Sequence, residues 1–328
     1  MRGHWLALFV AILPAAATAQ TESDPNGTFT FVLENDAFAD RDFYYSSGVQ
    51  FSWLSPSSPP EFMEQGAILG EFLLDNVEQR RWGLTLGHMF YTPQNTDLII
   101  PDPTDRPYAA WLYVAGSVVS YSADQLNTLE LQLGIVGPHA YGEEIQNTVH
   151  DWLEDNPARG WDSQLKDEFG FNLILERKWR AIPLPIGDDF GLDLTPHLRI
   201  SLGNVATYAA AGATLRFGQN LAADFGAPLI RPSASGSAFF DKREGFGWYL
   251  FAGVEGRAVA QDIFLDGNTF RDSPPSVDKE WVVADFVTGA AVMIGDARVT
   301  YAQVIRTEEF KGQDGNAKFG SLSVSWSF

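Results

Sequence analysis

Long segments of this chain alternate, residue by residue, between an apolar side chain and a polar or small one. Beyond the first nineteen residues there is no run of 18 apolar residues. That absence denies the chain a transmembrane helix, which needs about 20 of them. The alternation asks instead for strands, because successive side chains on a strand point to opposite faces. Phe29, Phe31 and Leu33 share one face, with Thr28, Thr30, Val32 and Glu34 opposite; Val49, Phe51 and Trp53 alternate with Gln50 and Ser52. Segments 127–135 and 167–180 repeat the pattern through Leu129, Leu131, Leu133 and Ile135, and through Phe169, Phe171, Leu173 and Leu175. Further candidates lie at 81–91, 108–121, 190–202, 206–218, 246–260, 280–294, 297–307 and 318–328, which makes twelve strands.

Several of these strands have ten or more residues, about the length a tilted strand needs to cross a bilayer. Aromatic residues gather near strand ends, as interfacial girdles do. The last segment is the clearest, with Gly320, Leu322, Val324, Trp326 and Phe328 set against four serines. A lipid-embedded backbone must satisfy its hydrogen bonds internally, which a closed sheet achieves and an open one does not. The expected fold is therefore all-β, a twelve-stranded antiparallel transmembrane β-barrel, rather than a secreted sandwich. Residues 1–19 read as a signal peptide, with Arg2, an apolar stretch from Leu6 to Leu13 and the cleavage site Ala17-Thr18-Ala19. Residues 20–328 then form the barrel.

Composition closes other routes. With 42 acidic against 22 basic residues and a net charge of −20, the chain lacks the basic footprint that nucleic acid requires. It contains no cysteine, which excludes disulfides, thiolate metal sites and cysteine nucleophiles.

The alternation breaks at residues 139–153. There Ile145, Val149, Trp152 and Leu153 form a helical stripe, with Glu143, Gln146 and His150 along the opposite side. A short helical insert in a strand-rich chain either plugs the lumen or builds a site. If it packs across the barrel, its polar side meets the polar lining of the first strands. Asp36 shares parity with the polar face of the first strand, and Asn35 falls on the other parity. Segments 55–78, 219–245 and 266–279 read as plain extracellular loops on one rim.

Leu33-Glu34-Asn35-Asp36 with Phe38, followed by Tyr44-Tyr45-Ser46-Ser47-Gly48, resembles the N-terminal signature of the lipid A 3′-O-deacylases of Gram-negative outer membranes. So do Asp105-Arg106-Pro107-Tyr108-Ala109-Ala110-Trp111, the block from Gly137 to His150, and Gly160-Trp161-Asp162-Ser163-Gln164-Leu165. The dense motifs run from about residue 27 to 180; beyond that only the strand pattern continues. The resemblance implies a twelve-stranded outer-membrane barrel whose active site lies between the wall and a short helix. It also implies calcium-dependent hydrolysis of the acyl chains ester-linked at the 3′ position of lipid A, by a monomer acting on lipopolysaccharide. On that resemblance His150 is the catalytic histidine, Gln146 lies one turn earlier, Asn35 and Asp36 are the strand-one pair, and Ser46 stands at the active-site threonine. Ala110 departs from the family, which reads glycine there.

The chemistry is coherent on its own terms. Ester hydrolysis without a cysteine or a Gly-x-Ser-x-Gly elbow points to a water activated by histidine. A hard cation such as Ca2+, held by Asp36 and the Asn35 oxygen, would polarise the carbonyl. Read alone, Asn35-Asp36 is a strand-end turn and Asp105-Arg106 an ion pair or strand-start clamp. Trp161-Asp162 positions a loop, while Glu143 and Glu144 are either further metal ligands or the solvated first turn of the helix. His88, His139 and His197 read as structural. Two alternatives compete: a passive outer-membrane channel or structural barrel, and a serine–histidine phospholipase using Ser46 or Ser47.

Overall fold

The structure is a computed structural model that describes residues 27–36, 44–56, 79–153, 156–187, 189–227, 239–240, 245–272 and 274–328. The leader at 1–19 and most of segment 55–78 lie outside the described residues. Thirteen strands follow in order: β1 (Thr28–Asn35), β2 (Tyr44–Leu54), β3 (Gln79–Thr92), β4 (Ala109–Tyr121), β5 (Gln125–Val136), β6 (Glu168–Trp179), β7 (Ala181–Ile186), β8 (Phe190–Gly203), β9 (Ala206–Gln219), β10 (Phe246–Asp262), β11 (Val282–Ile294), β12 (Ala297–Arg306) and β13 (Ala317–Ser327). Each pairs antiparallel with its neighbours. The ring closes where β1 meets β13, from Thr28 opposite Ser327 to Asn35 opposite Gly320, and where β6 meets β8.

Twelve strands form the closed wall, as the alternation predicts. The thirteenth, β7, pairs only with the start of β8 and stands outside the ring. Its sequence explains both its position and its invisibility to a period-two reading. Ala-Ile-Pro-Leu-Pro-Ile carries two prolines, which cannot donate to a ladder and are confined to sheet edges. Pro196 falls where one edge of β8 passes from β7, last paired at Leu194, to β6, first paired at His197.

The outward face is apolar. On β3 to β6, Leu84, Leu86, Val114, Leu131, Leu133, Phe169 and Phe171 are all exposed. An apolar surface of that extent suits lipid and not water. Phe190, Phe217 and Trp248 form an outward aromatic cluster at the rim that carries the chain termini, with centroids 6.0–6.2 Å apart.

Long connections occur on both rims, which corrects the one-rim expectation. Strand direction alternates, so segments 55–78 and 219–245 emerge on the rim of the termini and 266–279 on the other.

Among the described residues, ion pairs and aromatic rings cross the lumen. Toward the rim of the termini, Asp224 accepts from Arg216 (2.5 Å), Arg298 (2.8 Å) and the Tyr249 hydroxyl (2.8 Å). Phe225, Phe239 and Tyr121 pack beside this cluster. Arg199 joins Glu176 (2.6 Å) and Glu255 (3.1 Å), and Glu255 also meets His197 (2.9 Å). Toward the opposite rim, Glu309 lies between Arg306 (3.0 Å) and Arg106 (3.2 Å). There a single helical turn, Ile263–Asp266, brings Phe264 onto Tyr91, with centroids 4.3 Å apart. Beside it lies a small cavity of about 30 Å³, room for a water. Arg106 is indeed ion-paired, as its sequence context suggests, but its partner is Glu309 across the lumen. Asp105 instead accepts backbone N–H groups from Gln94 and Arg106.

Candidate active site

The helical insert is built on the outside of the wall. After β5 the chain turns at Gly137 (φ +112°), where a Cβ would stand 2.6 Å from the Asp167 nitrogen, so only glycine fits. A 3₁₀ turn, Pro138–Ala140, and Tyr141 in the left-handed region (φ 59°) then lead into α1, Gly142–Leu153. His139 ties this entry to the start of β6, through its backbone N–H to Asp167 Oδ1 (2.9 Å) and its ring Nδ1 to Oδ2 (2.6 Å). Burial acts to raise the Asp167 pKa, but the His139 bonds outweigh it and hold the carboxyl below its usual range.

Alternation along β3 and β4 sends Met89, Tyr91, Ala109 and Trp111 into the lumen, and His88, Phe90, Ala110 and Leu112 outward. Yet Phe90 and Ala110 are buried, in a cluster with Ala140, Ala158, Tyr108 and Trp161. Phe90 meets the Trp161 ring at 6.2 Å, and His88 Nε2 bonds the Ala140 carbonyl at 2.7 Å. A Cβ on Gly142 would stand 2.5 Å from the Ala110 Cβ and 2.6 Å from the Trp161 ring, so the start of α1 presses directly on β4. The insert does not plug the lumen.

The helix exposes an apolar stripe beside its charged residues and buries a narrow, largely polar one. Gly142, Gln146 and His150, at i, i+4 and i+8, are its buried positions. Ile145 (39 % exposed), Val149 (37 %) and Trp152 (80 %) face outward. Glu143 does not join Gln146 and His150 in burial; it is exposed with Glu144 in the first turn, where acidic groups complement the helix dipole. Its carboxyl sits above the usual range because of partial burial and its neighbours Glu144 and Asp162.

His150 and Gln146 are each oriented by the chain that returns after α1. His150 Nδ1 lies 2.6 Å from the Asn156 carbonyl. A carbonyl only accepts, so Nδ1 carries the hydrogen and the lone pair of the neutral ring is placed on Nε2. Asn147 grips the same return segment, its Oδ1 accepting from the Ala158 N–H at 2.9 Å. Trp161 Nε1 donates to Gln146 Oε1 at 2.8 Å, which fixes the amide so that its NH2 group points the other way. That buried Nε2 makes no hydrogen bond with the described residues. A donor left so inside a protein costs about 1–3 kcal/mol unless something else accepts from it.

The remaining candidates belong to strands β1 and β2. Asn35 pairs with Ser47, Ser47 with Phe90 and Phe90 with Ala110, so one outward row crosses β1 to β4 and ends under Gly142. Asp36, one residue beyond the ladder, is buried. Ser46 lies in β2 where the register slips between Tyr45 and Ser47. The structure thus brings Gln146 and His150 together on one buried stripe, and places Asn35 in the outward row that ends under Gly142.

A cation at this corner would find oxygen donors of the hard type, the Asp36 carboxylate and the Asn35 amide. No group of three or more His, Cys, Asp or Glu occurs among the described residues. The two oxygen donors are of the kind that calcium takes rather than the nitrogen and sulfur ligands of a transition-metal site. Glu143 and Glu144, exposed on the helix, supply no such cluster.

The sequence reading missed Asn147 and the Asn156 carbonyl, and read His88 as structural, as its bond to the Ala140 carbonyl has it. A backbone carbonyl has no side-chain signature; the one hint is Pro157, which biases Asn156 to an extended conformation and marks the turn back. His88 sits at a lipid-facing position, and its burial under Ala140 follows only from the insert's placement.

The chain matches, over residues 5–328, the family model described as outer membrane protein LpxR. No curated protein sequence matches it. Among solved structures it is similar to LpxR from Salmonella typhimurium, at 19 % identity and a TM-score of 0.75, covering 92 % of this chain and all of that one. It also matches the β domain of the Bordetella autotransporter BrkA, at 9 % identity and a TM-score of 0.47, over 93 % of this chain and all of that one.

Proposed function

Because this chain belongs to the LpxR family of outer-membrane proteins, we propose that it is a calcium-dependent hydrolase that removes ester-linked acyl chains from the 3′ position of lipid A. The observation that carries the catalytic reading is the hydrogen bond from His150 Nδ1 to the Asn156 carbonyl, which presents Nε2 as a base. Water gives its proton to Nε2 as its oxygen attacks the ester carbon. The resulting imidazolium then returns that proton to the sugar oxygen as the ester C–O bond breaks, releasing a fatty acid and a free hydroxyl. Gln146 Nε2, a buried donor turned away from Trp161, stabilises the oxyanion. Asn35 and Asp36 would hold the calcium, whose contribution when bound is to polarise the ester carbonyl. Ser46, in β2 where the register slips, stands at the position of the family's active-site threonine.

The crossed lumen favours an enzyme over a channel. Ion pairs and aromatic rings cross it at three levels, and the site lies on the outer surface of the wall, where a lipid substrate arrives laterally.

The test is release of fatty acid from purified lipid A, with mass spectrometry of the product. The wild type should shorten lipid A by its 3′ chains, lose activity with chelator and regain it with calcium. His150→Ala should retain a folded barrel and lose about 10²–10⁴-fold in rate. Unchanged 3′ removal by this variant would refute the assignment. Activity that survives chelation but disappears in Ser46→Ala would favour the serine–histidine route.

A further inference from the structure

The outward side of α1 is not accounted for by catalysis. Ile145, Val149 and Trp152 form an exposed apolar stripe, and a second exposed apolar tip, Leu98-Ile99-Ile100, is held against the segment that returns from the helix. The two are linked through Gly160, where a Cβ would meet the Leu98 carbonyl (3.0 Å), Pro101 (2.9 Å) and Tyr108 (2.5 Å). Gly160 leads into Trp161, which seats α1 on the wall. Ile100, at 81 % exposure, and Trp152, at 80 %, are among the most exposed large apolar side chains of the protein.

This patch is continuous with the lipid-facing wall. Leu112 and Ile135, outward residues of β4 and β5, pack against the cluster that seats α1. The next outward residues on those strands, Val114 and Leu133, are exposed and belong to the apolar belt. We propose that the Ile145–Val149–Trp152 stripe and the Leu98–Ile100 tip are immersed in the acyl-chain layer of the leaflet at that rim, so that α1 is a membrane-embedded wall of the site and not a water-exposed lid. The occupant of the patch is the lipid hydrocarbon itself. A helix in this position keeps its apolar stripe in lipid while Gln146 and His150 face the protein and the exposed Glu144, Thr148 and Asp151 face the aqueous side, as in an interfacial amphipathic helix. Trp152 suits the boundary region, where tryptophan concentrates. The proposal rests on the outer-membrane placement of the barrel and stands whether or not His150 is a base.

The absence of cysteine allows a direct test. Single cysteines introduced as Ile145→Cys, Trp152→Cys and Ile100→Cys, each at an exposed position, are spin-labelled and the full chain is reconstituted into phosphatidylcholine–phosphatidylglycerol vesicles. Val114→Cys serves as the lipid-facing reference and Glu144→Cys as the aqueous one. Collision with oxygen and with a water-soluble nickel chelate is then compared by paramagnetic resonance. Labels at 145, 152 and 100 should match Val114→Cys, with an oxygen-to-nickel ratio several-fold above that of Glu144→Cys. Nickel accessibility equal to that of Glu144→Cys at 145 and 152 would overturn the proposal. Label–label broadening that disappears on dilution with unlabelled protein would also overturn it, by assigning the patch to a second copy. Retention of heat-modifiable migration in every variant confirms that each measurement is made on a folded barrel, and loss of catalysis in any of them leaves this readout unaffected.

Discussion

At the scale of single residues the site depends on contacts that leave no room and no spare partner. Gly142→Ala would set a methyl group within 2.5 Å of the Ala110 Cβ and 2.6 Å of the Trp161 ring. Overpacking of this kind costs about 1–3 kcal/mol, and here it lifts α1 from the wall. The expected outcome is a barrel that still migrates as folded but loses most deacylation, with partial recovery in the Ala110→Gly, Gly142→Ala double variant. Asn147 is a positioning residue: it holds Ala158, and so the Asn156 carbonyl that orients His150. Asn147→Ala should lower kcat about ten- to a hundredfold, leave KM nearly unchanged and shift the pH profile of kcat. Asn147→Asp, which keeps the acceptor for the Ala158 N–H, should restore much of it; an equal fall in both variants with an unmoved pH profile would assign Asn147 a merely structural role. Gln146 and His150 are legible in sequence as an i, i+4 pair, whereas the carbonyl and the indole N–H that aim them are not, because those partners come from a return segment without a pattern of its own.

At the scale of elements, the insert and β7 share a logic: each is attached to a wall that closes without it. Residues 138–163 cover Phe90, Ala110 and Leu112, which are apolar and therefore compatible with lipid once uncovered. Replacing 138–163 by a short Gly/Ser turn should leave strand content by circular dichroism and heat-modifiable migration unchanged while abolishing fatty-acid release. His88 would lose the Ala140 carbonyl and Asp167 its two bonds from His139. Failure of that variant to assemble would show that the insert is needed to close the wall. The apolar stripe of α1 was visible in the sequence, but its direction was not. In water such a stripe turns inward; against a lipid-facing wall it can turn outward, and burial of the polar stripe shows that it does. β7 escaped the reading because Pro183 and Pro185 interrupt alternation and confine the strand to an edge.

At the scale of the whole molecule, buried charges cross the lumen. Asp224 is the hub near the rim of the termini. Burial acts to raise its pKa, but Arg298, Arg216 and the hydrogen bonds they and Tyr249 donate hold the carboxyl below the usual range. A carboxyl depressed in the fold stabilises it above its unfolded pKa, about 3.9 for aspartate, and that contribution is lost as pH falls through the lower folded value. Thermal unfolding in detergent should therefore be little changed from neutral pH down to about pH 5 and weaken below about pH 4. Asp224→Asn should be less stable at neutral pH and show a smaller acid-induced loss; an identical acid response in wild type and variant would remove Asp224 from this role. The same packing predicts no steady ion conductance when the protein is inserted in planar bilayers, and well-resolved channels would contradict it.

The amino-acid order by itself determined the wall: the period-two alternation placed twelve strands, and the lack of any long apolar run left a closed sheet as the way to satisfy a backbone in lipid. It also placed Gln146 and His150 on one helical stripe, Asn35 and Asp36 at the end of β1, and a break at 139–153, because these are local or periodic features. Tertiary structure alone decided that α1 lies outside the wall, that its polar stripe faces the protein, that Arg106 reaches Glu309, and that ion pairs and rings cross the lumen. Each of these depends on which strands the closed register brings side by side, across separations as long as the 203 positions between Arg106 and Glu309. Alternation states that a side chain points in or out; what meets it there is set by the ring.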